Sequence, residues 1–205
     1  MLEETKFEKL FSTPVLRFRL PEYQELNKAL LAEGAALRAQ SEGVEKSNRG
    51  GWHSAGNLFD NQAAPIKILR AMAADSVNAG MKRIGAKADL NKLDMTLFAW
   101  MNANPSMGYN APHTHPGAHW SGVYYVSQPE VEDGNSGMIE FLNPRTDLPG
   151  WRILDAPPFR TKKKFRPMPG DMILFPSYLV HWVYPNETAE ERVTVAFNAT
   201  FRKAK

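Results

Sequence analysis

The fold prediction starts from one segment, Asn110-Ala-Pro-His-Thr-His-Pro-Gly-Ala-His-Trp-Ser-Gly-Val-Tyr-Tyr-Val-Ser127. A proline-flanked His-x-His pair is followed there by a run of β-branched and aromatic residues that is typical of a strand. Side chains alternate along a strand with a period of two, so His113 and His115 would project from the same face. Two imidazoles on one face can reach one metal ion, and imidazole suits iron, zinc, copper and nickel.

Similar short β-rich runs continue to the end of the chain, separated by Pro, Gly and Asn. Short strands at close spacing favour an all-β sandwich or barrel over βαβ units. We therefore expect a jelly-roll-like core in the second half of the chain. The predicted strands are Leu93–Asn102, Trp120–Ser127, Met138–Leu142, Phe165–Met168, Asp171–Pro176 and Arg192–Arg202.

The N-terminal half has a different pattern. Alternation near the end of Phe11–Leu20 predicts a strand, and Pro21 is suited to the first turn of a following amphipathic helix. A second amphipathic helix is predicted from about Pro65 to Ile84. The segment Ser47–Asp60 is rich in Gly, Ser and Asn and is predicted to be a loop. These helices would support the β core.

Length and composition limit the class of protein. At 205 residues with 43% hydrophobic residues, we expect a single domain, 1–205, with a helical and loop support region over 1–90 and the core over 91–205. The sequence has no cysteine, which excludes disulfides, thiolate zinc sites, iron–sulfur clusters and cysteine nucleophiles. No apolar run approaches the roughly 20 residues of a membrane span. We expect a cytoplasmic protein.

The net charge of the chain does not identify its binding partners. The net charge of +3 is too small to argue for nucleic acid. We expect a small-molecule or peptide substrate and no membrane partner, and homodimer formation is left open. The basic run Arg160–Arg166 could meet an anionic substrate, but we interpret it as a solvated loop or strand edge.

A third histidine and an arginine extend the His-x-His pair. His181 follows the apolar run Met172–Phe175 and could face the same cavity, and three protein ligands would leave open metal positions for catalysis. Arg192 and Thr194 share one face of the last strand, where a guanidinium and a hydroxyl could bind a carboxylate. The alternative for Arg192 is a surface ion pair with Glu190 or Glu191.

Together these motifs resemble the 2-oxoglutarate/Fe(II)-dependent oxygenases, in particular a bacterial and phage group of this size with an H-x-H motif. The resemblance covers most of the chain and does not identify the substrate. It is carried by Leu10–Pro14, Gly50-Gly-Trp52, Asn110-x-x-His113-Thr-His115-Pro, Ser121–Val126, Gly137–Phe141, Pro169–Ser177, His181 and Arg192-x-Thr194-x-x-Phe197-Asn198.

The resemblance implies a double-stranded β-helix (jelly roll, cupin-like) that binds Fe(II) and the cosubstrate 2-oxoglutarate. His113 and His181 would match the family's histidine ligands, and Arg192 with Thr194 would hold the distal carboxylate of 2-oxoglutarate. The implied activity is that of a dioxygenase, with hydroxylation as the expected outcome. Further contacts to the cosubstrate are expected from Asn102, Asn104 and either Tyr124 or Tyr125, with Tyr124 taken as the candidate.

One position departs from the family pattern. The usual motif is H-x-D or H-x-E, and the acidic position here is His115, which leaves the site one charge more positive. We take His115 as the third metal ligand. The alternatives are two histidines with water in the gap, or a distant carboxylate from Glu140.

Two other functions compete with an oxygenase. Gly170-Asp171 followed by Pro176, His181 and Asn186 resembles the second cupin motif, which would suit an isomerase or a dioxygenase without cosubstrate. However, the first cupin motif expects a Glu shortly after H-x-H, and none stands there. The second competitor is a non-catalytic β-sandwich binding protein with structural histidines, the role we assign to His53 and His119.

Overall fold

A computed structural model describes residues 3–6, 10–145, 148, 151–154 and 156–204. Short 3-10 turns lie at Leu58–Asp60, Leu90–Lys92 and Pro157–Phe159. The strands and helices, in chain order, are β1 (Leu16–Arg19), α1 (Gln24–Gln40), β2 (Asn48–Arg49), β3 (Trp52–His53), α2 (Ala64–Arg83), β4 (Leu93–Asn104), β5 (Tyr109–His113), β6 (Trp120–Ser127), β7 (Ile139–Leu142), α3 (Trp151–Leu154), β8 (Lys162–Phe165), β9 (Asp171–Pro176), β10 (His181–Val183) and β11 (Arg192–Lys203).

The strands form two antiparallel sheets. One has six strands in the order β1-β9-β6-β11-β4-β3, and the other has five in the order β2-β5-β10-β7-β8. Neighbouring strands come from distant parts of the chain, as β4 and β11 do along their whole length. This is the jelly-roll arrangement, so the predicted mainly-β fold with N-terminal helices is confirmed.

The six-stranded sheet is buried on both faces. Alternate residues of β6 point in opposite directions, so Val123 and Tyr125 pack between the sheets while Tyr124 packs on the helix side. On that side the buried face of α2 follows a helical repeat and includes Leu69, Ala73 and Val77. The helices therefore cover one face of the six-stranded sheet. The opposite face, which points toward the five-stranded sheet, forms part of the wall of a cavity.

The largest differences from the predicted elements concern short strands. The predicted loop Ser47–Asp60 contains β2 and β3, each only two residues long. Such strands form because β5 and β4 offer backbone partners, and no local pattern marks them. The strand predicted at Phe165–Met168 lies earlier, at Lys162–Phe165.

The basic run forms the edge strand β8 of the five-stranded sheet. Lys162 lies 3.4 Å from Glu140, and Lys164 donates to Asn135 over 2.8 Å. The interpretation of this run as a strand edge is therefore confirmed. Lysines on an edge strand discourage pairing with another chain.

Gly122→Ala tests how tightly the helix-side core is packed. Gly122 lies opposite Phe197 on β11, and a Cβ at residue 122 would overlap the aromatic ring of Phe197. We expect the free energy of unfolding to fall by about 1–3 kcal/mol, because overpacking forces neighbouring groups apart. Chemical denaturation measures the loss. The double variant Gly122→Ala/Phe197→Leu should recover part of it, and equal stability of wild type and Gly122→Ala would contradict this packing.

Candidate metal centre

Strands β5 and β10 bring two of the predicted histidines together. His113 and His181 are direct partners in the antiparallel register, and their ring centroids are 4.3 Å apart. His115 lies just beyond β5, where its backbone N–H donates to the carbonyl of Ser177 over 3.0 Å. Its ring centroid is 4.9 Å from that of His113 and 5.1 Å from that of His181. The three side chains thus face one another.

The spacing of these rings suits one metal ion after a small contraction. Their ligand nitrogens lie within 4.8 Å of one another. A first-row metal binds imidazole nitrogen at about 2.0–2.1 Å, so two ligands of one ion are at most about 4.2 Å apart. Within the described ranges of the chain, this is the one cluster of His, Asp or Glu that meets the spacing of a metal site.

Backbone carbonyls orient two of the three imidazoles. Nδ1 of His113 lies 2.7 Å from the carbonyl oxygen of Ala111, and Nδ1 of His181 lies 2.9 Å from that of Leu179. A carbonyl can only accept, so Nδ1 must carry the proton in each ring. The lone pair is then on Nε2, which is the arrangement of a metal-binding histidine with a carbonyl partner. Ser47 Oγ lies 3.4 Å from Nε2 of His113 and can donate to this lone pair.

The histidines are uncharged at neutral pH. Burial lowers the pKa of His113, lowers that of His115 to about 4, and lowers that of His181 to about 3. Repulsion from a protonated His113 adds to the lowering of the pKa of His115 and of His181. Neutral imidazoles are the form that binds metal, so protons compete weakly at pH 7.

These pKa values predict how stability depends on pH. In the unfolded chain a histidine titrates near 6.5, whereas His115 and His181 in the folded metal-free protein do so near 4 and 3. Below pH 6.5 the unfolded state binds more protons, so acidification favours unfolding. We expect each of the two to cost on the order of 2 kcal/mol between pH 7 and 4.5. Urea denaturation at a series of pH values measures this loss, and an unchanged pH slope in His181→Asn would contradict the assignment.

The three histidines line a cavity between the two sheets. Arg192 forms part of its wall and is only 2% exposed. Its Nε donates to Gln128 Oε1 over 3.0 Å, and its guanidinium carbon is 5.3 Å from the ring centroid of Tyr125. Burial lowers the pKa of Arg192. The surface alternative does not hold, since Glu191 pairs instead with Arg38 at 2.8 Å.

Several of the predicted polar residues surround Arg192. Thr194 and Asn102 both line the cavity and are cross-strand partners, and Asn104 is the partner of Arg192. Asn104 is fully buried and donates to Asn110 Oδ1 over 3.1 Å. Among the described residues, the buried side-chain atoms without a hydrogen-bond partner are Asn102 Oδ1, Asn104 Oδ1 and Tyr125 Oη. Buried polar atoms are normally paired, so two unpaired atoms in the cavity wall fit a polar ligand.

Tyr124 does not reach the cavity, contrary to the prediction. Its side chain points toward the helices, where the hydroxyl donates to Asn27 Oδ1 over 2.7 Å. The neighbouring Tyr125 lines the cavity, because adjacent strand residues face opposite sides. Burial raises the pKa of Tyr125 to about 12, so its hydroxyl stays protonated.

Glu140 is not positioned to replace His115. It is the cross-strand partner of Trp182, one residue from His181, and therefore lies on the opposite face of the sheet. Its carboxylate accepts from Trp182 Nε1 over 3.1 Å and from the Tyr184 hydroxyl over 3.0 Å.

The other two histidines have structural contacts. His53 stacks on Trp100 with ring centroids 5.6 Å apart, and Trp100 in turn lies 5.4 Å from the ring of His115. His119 Nδ1 accepts from the backbone N–H of Phe201 over 3.2 Å. Ser47 and Trp100 also line the cavity, and Gln128 contacts Arg192. None of the three lies in a sequence motif that indicates the site.

The comparisons with known proteins agree with this geometry. Residues 98–198 match a family model described as "Putative 2OG-Fe(II) oxygenase". A Pseudomonas putida prolyl-4-hydroxylase has a similar structure, with a TM-score of 0.64 at 16% identity over 96% of both chains. A Trichoplax adhaerens prolyl hydroxylase in complex with a hypoxia-inducible-factor peptide has a TM-score of 0.62 at 13% identity, over 91% of this chain and 83% of that one.

A third similar structure contains small ligands. HygX from Streptomyces hygroscopicus, with nickel, 2-oxoglutarate and hygromycin B bound, has a TM-score of 0.60 at 14% identity, over 92% of this chain and 83% of that one. No functionally curated protein matches this chain significantly in sequence. Neither long helix in the described residues combines the length and apolar composition needed to cross a bilayer.

Proposed function

Because this chain belongs to the 2OG-Fe(II) oxygenase family through residues 98–198, we propose that His113, His115 and His181 hold Fe(II) and that Arg192 binds 2-oxoglutarate. The observation that carries the proposal is the convergence of three neutral histidines and one buried guanidinium on a single cavity. A metal-binding or structural set of histidines alone would not require a buried arginine that forms no salt bridge with any carboxylate of the described residues.

Each polar group in the cavity has a role in this proposal. The Arg192 guanidinium pairs with the distal carboxylate of 2-oxoglutarate, and the Thr194 hydroxyl donates a further hydrogen bond. Tyr125 can donate through its hydroxyl, which has no hydrogen-bond partner among the described residues, and Asn102 can donate through the NH2 of its amide. Bound iron and 2-oxoglutarate supply the oxidising chemistry, and the chain orients them and limits access of water. Hydroxylation is the reaction we propose.

The substrate is proposed only as a class. Similar structures contain a peptide fragment in one case and hygromycin B in another. We therefore propose a small-molecule or peptide substrate for this chain. A cytoplasmic location, a single domain over 1–205 and a homodimer stay predictions.

The visible spectrum under anaerobic conditions tests the proposed function. Fe(II) is added to metal-free protein prepared without a His-tag, and 2-oxoglutarate is added afterwards. A charge-transfer band that appears only with both is the expected result, because it requires cosubstrate chelated at the iron. Iron binding without the band would favour the cupin alternative, and no iron binding would favour a binding protein with structural histidines.

His115→Asp tests the third imidazole. Because the ring of His115 lies with those of His113 and His181, we expect a shortened side chain at residue 115 to weaken iron binding by about tenfold or more. Equilibrium dialysis with Fe(II) at pH 7 measures the affinity, and His119→Asp controls for the added charge. Tighter iron binding by His115→Asp would instead favour the usual carboxylate at this position.

A further inference from the structure

Gln128 is the polar partner of the buried arginine. It follows directly after β6, is 7% exposed, and accepts from Nε of Arg192 over 3.0 Å. A hydrogen bond to Nε fixes the plane of the guanidinium, because the five N–H groups of arginine have a rigid geometry. Besides Gln128 at Nε, the guanidinium interacts with Tyr125, and its terminal amino groups can also pair with a ligand carboxylate.

Gly137 provides the space for the Gln128 amide. A Cβ at residue 137 would lie 2.5 Å from Nε2 of Gln128 and 3.3 Å from Cδ of Arg192. Gly137 also has a φ of +63°, which favours glycine. The side chains of Gln128 and Arg192 are therefore confined together against this backbone.

The neutrality of Gln128 affects the charge in the cavity. Arg192 is fully buried, and among the described residues no carboxylate forms a salt bridge with it. A glutamate at residue 128 would keep the hydrogen bond but neutralise the guanidinium. An amide orients the guanidinium and leaves its positive charge for an incoming anion.

We propose that Gln128 is a positioning residue that orients Arg192 without neutralising it, and so gives the cavity its preference for a 2-oxo acid with a second carboxylate. This rests on the proposed function of the same cavity. Gln128 acts on the ligand through Arg192, whose guanidinium it orients. The proposed role does not require Gln128 to contact the ligand.

The isosteric change Gln128→Glu separates charge from shape. Gln128→Leu removes the hydrogen bond, and Gln24→Glu, on the exposed first turn of α1, is the control for the same change of charge at the surface. Each protein is loaded with Fe(II) without oxygen and titrated with 2-oxoglutarate or with 2-oxobutanoate, which lacks the distal carboxylate. The charge-transfer band gives the dissociation constant of each ligand.

We expect Gln128→Glu to weaken 2-oxoglutarate binding by about tenfold or more and to change 2-oxobutanoate binding by less than about twofold. Gln128→Leu should weaken 2-oxoglutarate binding as well, and Gln24→Glu should leave both constants unchanged. Unchanged 2-oxoglutarate affinity in Gln128→Glu would overturn the inference. Equal losses for both ligands would also overturn it, since they would indicate a general disturbance of the cavity. A wild type that gives no band with 2-oxoglutarate would overturn the proposed function itself.

Discussion

His181→Ala is expected to abolish stoichiometric Fe(II) binding at micromolar protein concentration. We expect no other single substitution to have a larger effect. His181 is 5% exposed, and its ring centroid lies 4.3 Å from that of His113 and 5.1 Å from that of His115. Loss of a group that merely orients a ligand typically costs 10–100-fold in metal affinity. Loss of the ligand itself should therefore cost about 100-fold or more. Metal analysis after anaerobic dialysis measures the bound iron.

The matched control for this variant is His119→Ala. His119 contacts Phe201 and is not part of the cluster of three, so its loss should leave iron binding unchanged. Circular dichroism of both variants checks that the β fold is retained. Iron content in His181→Ala equal to that of wild type would show that His181 is not a ligand.

Arg192→Ala is expected to remove 2-oxoglutarate binding while iron binding persists. The buried guanidinium is the one cation in the described cavity wall, so its truncation leaves the distal carboxylate without a counter-charge. Truncating one partner of a buried charge pair costs about 2–5 kcal/mol, on the order of 30-fold or more in affinity. Titration of the charge-transfer band with 2-oxoglutarate measures the loss, and metal analysis measures the retained iron.

Arg192→Lys distinguishes charge from geometry at this position. Lysine retains the positive charge but lacks the planar fork, and so it should bind 2-oxoglutarate with intermediate affinity. Arg38→Ala, which removes the exposed ion pair with Glu191, is the control for loss of a surface cation. Parallel loss of iron and 2-oxoglutarate in Arg192→Ala would indicate a damaged fold rather than a lost carboxylate partner.

The cluster of three histidines was predictable because its signal is local. The H-x-H spacing relates His113 to His115, although His115 lies just beyond the end of β5. His181 follows the apolar run Met172–Phe175 and begins the separate short strand β10. Alternation also placed Arg192 and Thr194 on one face, and the structure has both in the cavity wall. The positions of Arg192 and Thr194 follow from the two-residue period of a strand, which does not depend on the surrounding loops.

Other features were beyond the reach of sequence patterns. Both faces of β6 are buried, so nothing in the pair Tyr124-Tyr125 indicates which hydroxyl enters the cavity. The strands β2 and β3 are shorter than any recognisable alternation. Gln128 meets Arg192 only after β6 and β11 have paired, which is a consequence of the tertiary fold.

Under the proposed function, the pairing of His113 with His181 across β5 and β10 would link the supply of iron to the lifetime of the protein. These strands are far apart in sequence, so an unfolded chain does not hold the two rings at their native distance. An ion bound only by the native chain shifts the folding equilibrium by mass action, by about 2.7 kcal/mol at a hundredfold excess over the dissociation constant. Cells starved of iron would then hold more of this chain in open forms that proteases cleave, so its abundance would fall together with the nutrient that its chemistry requires.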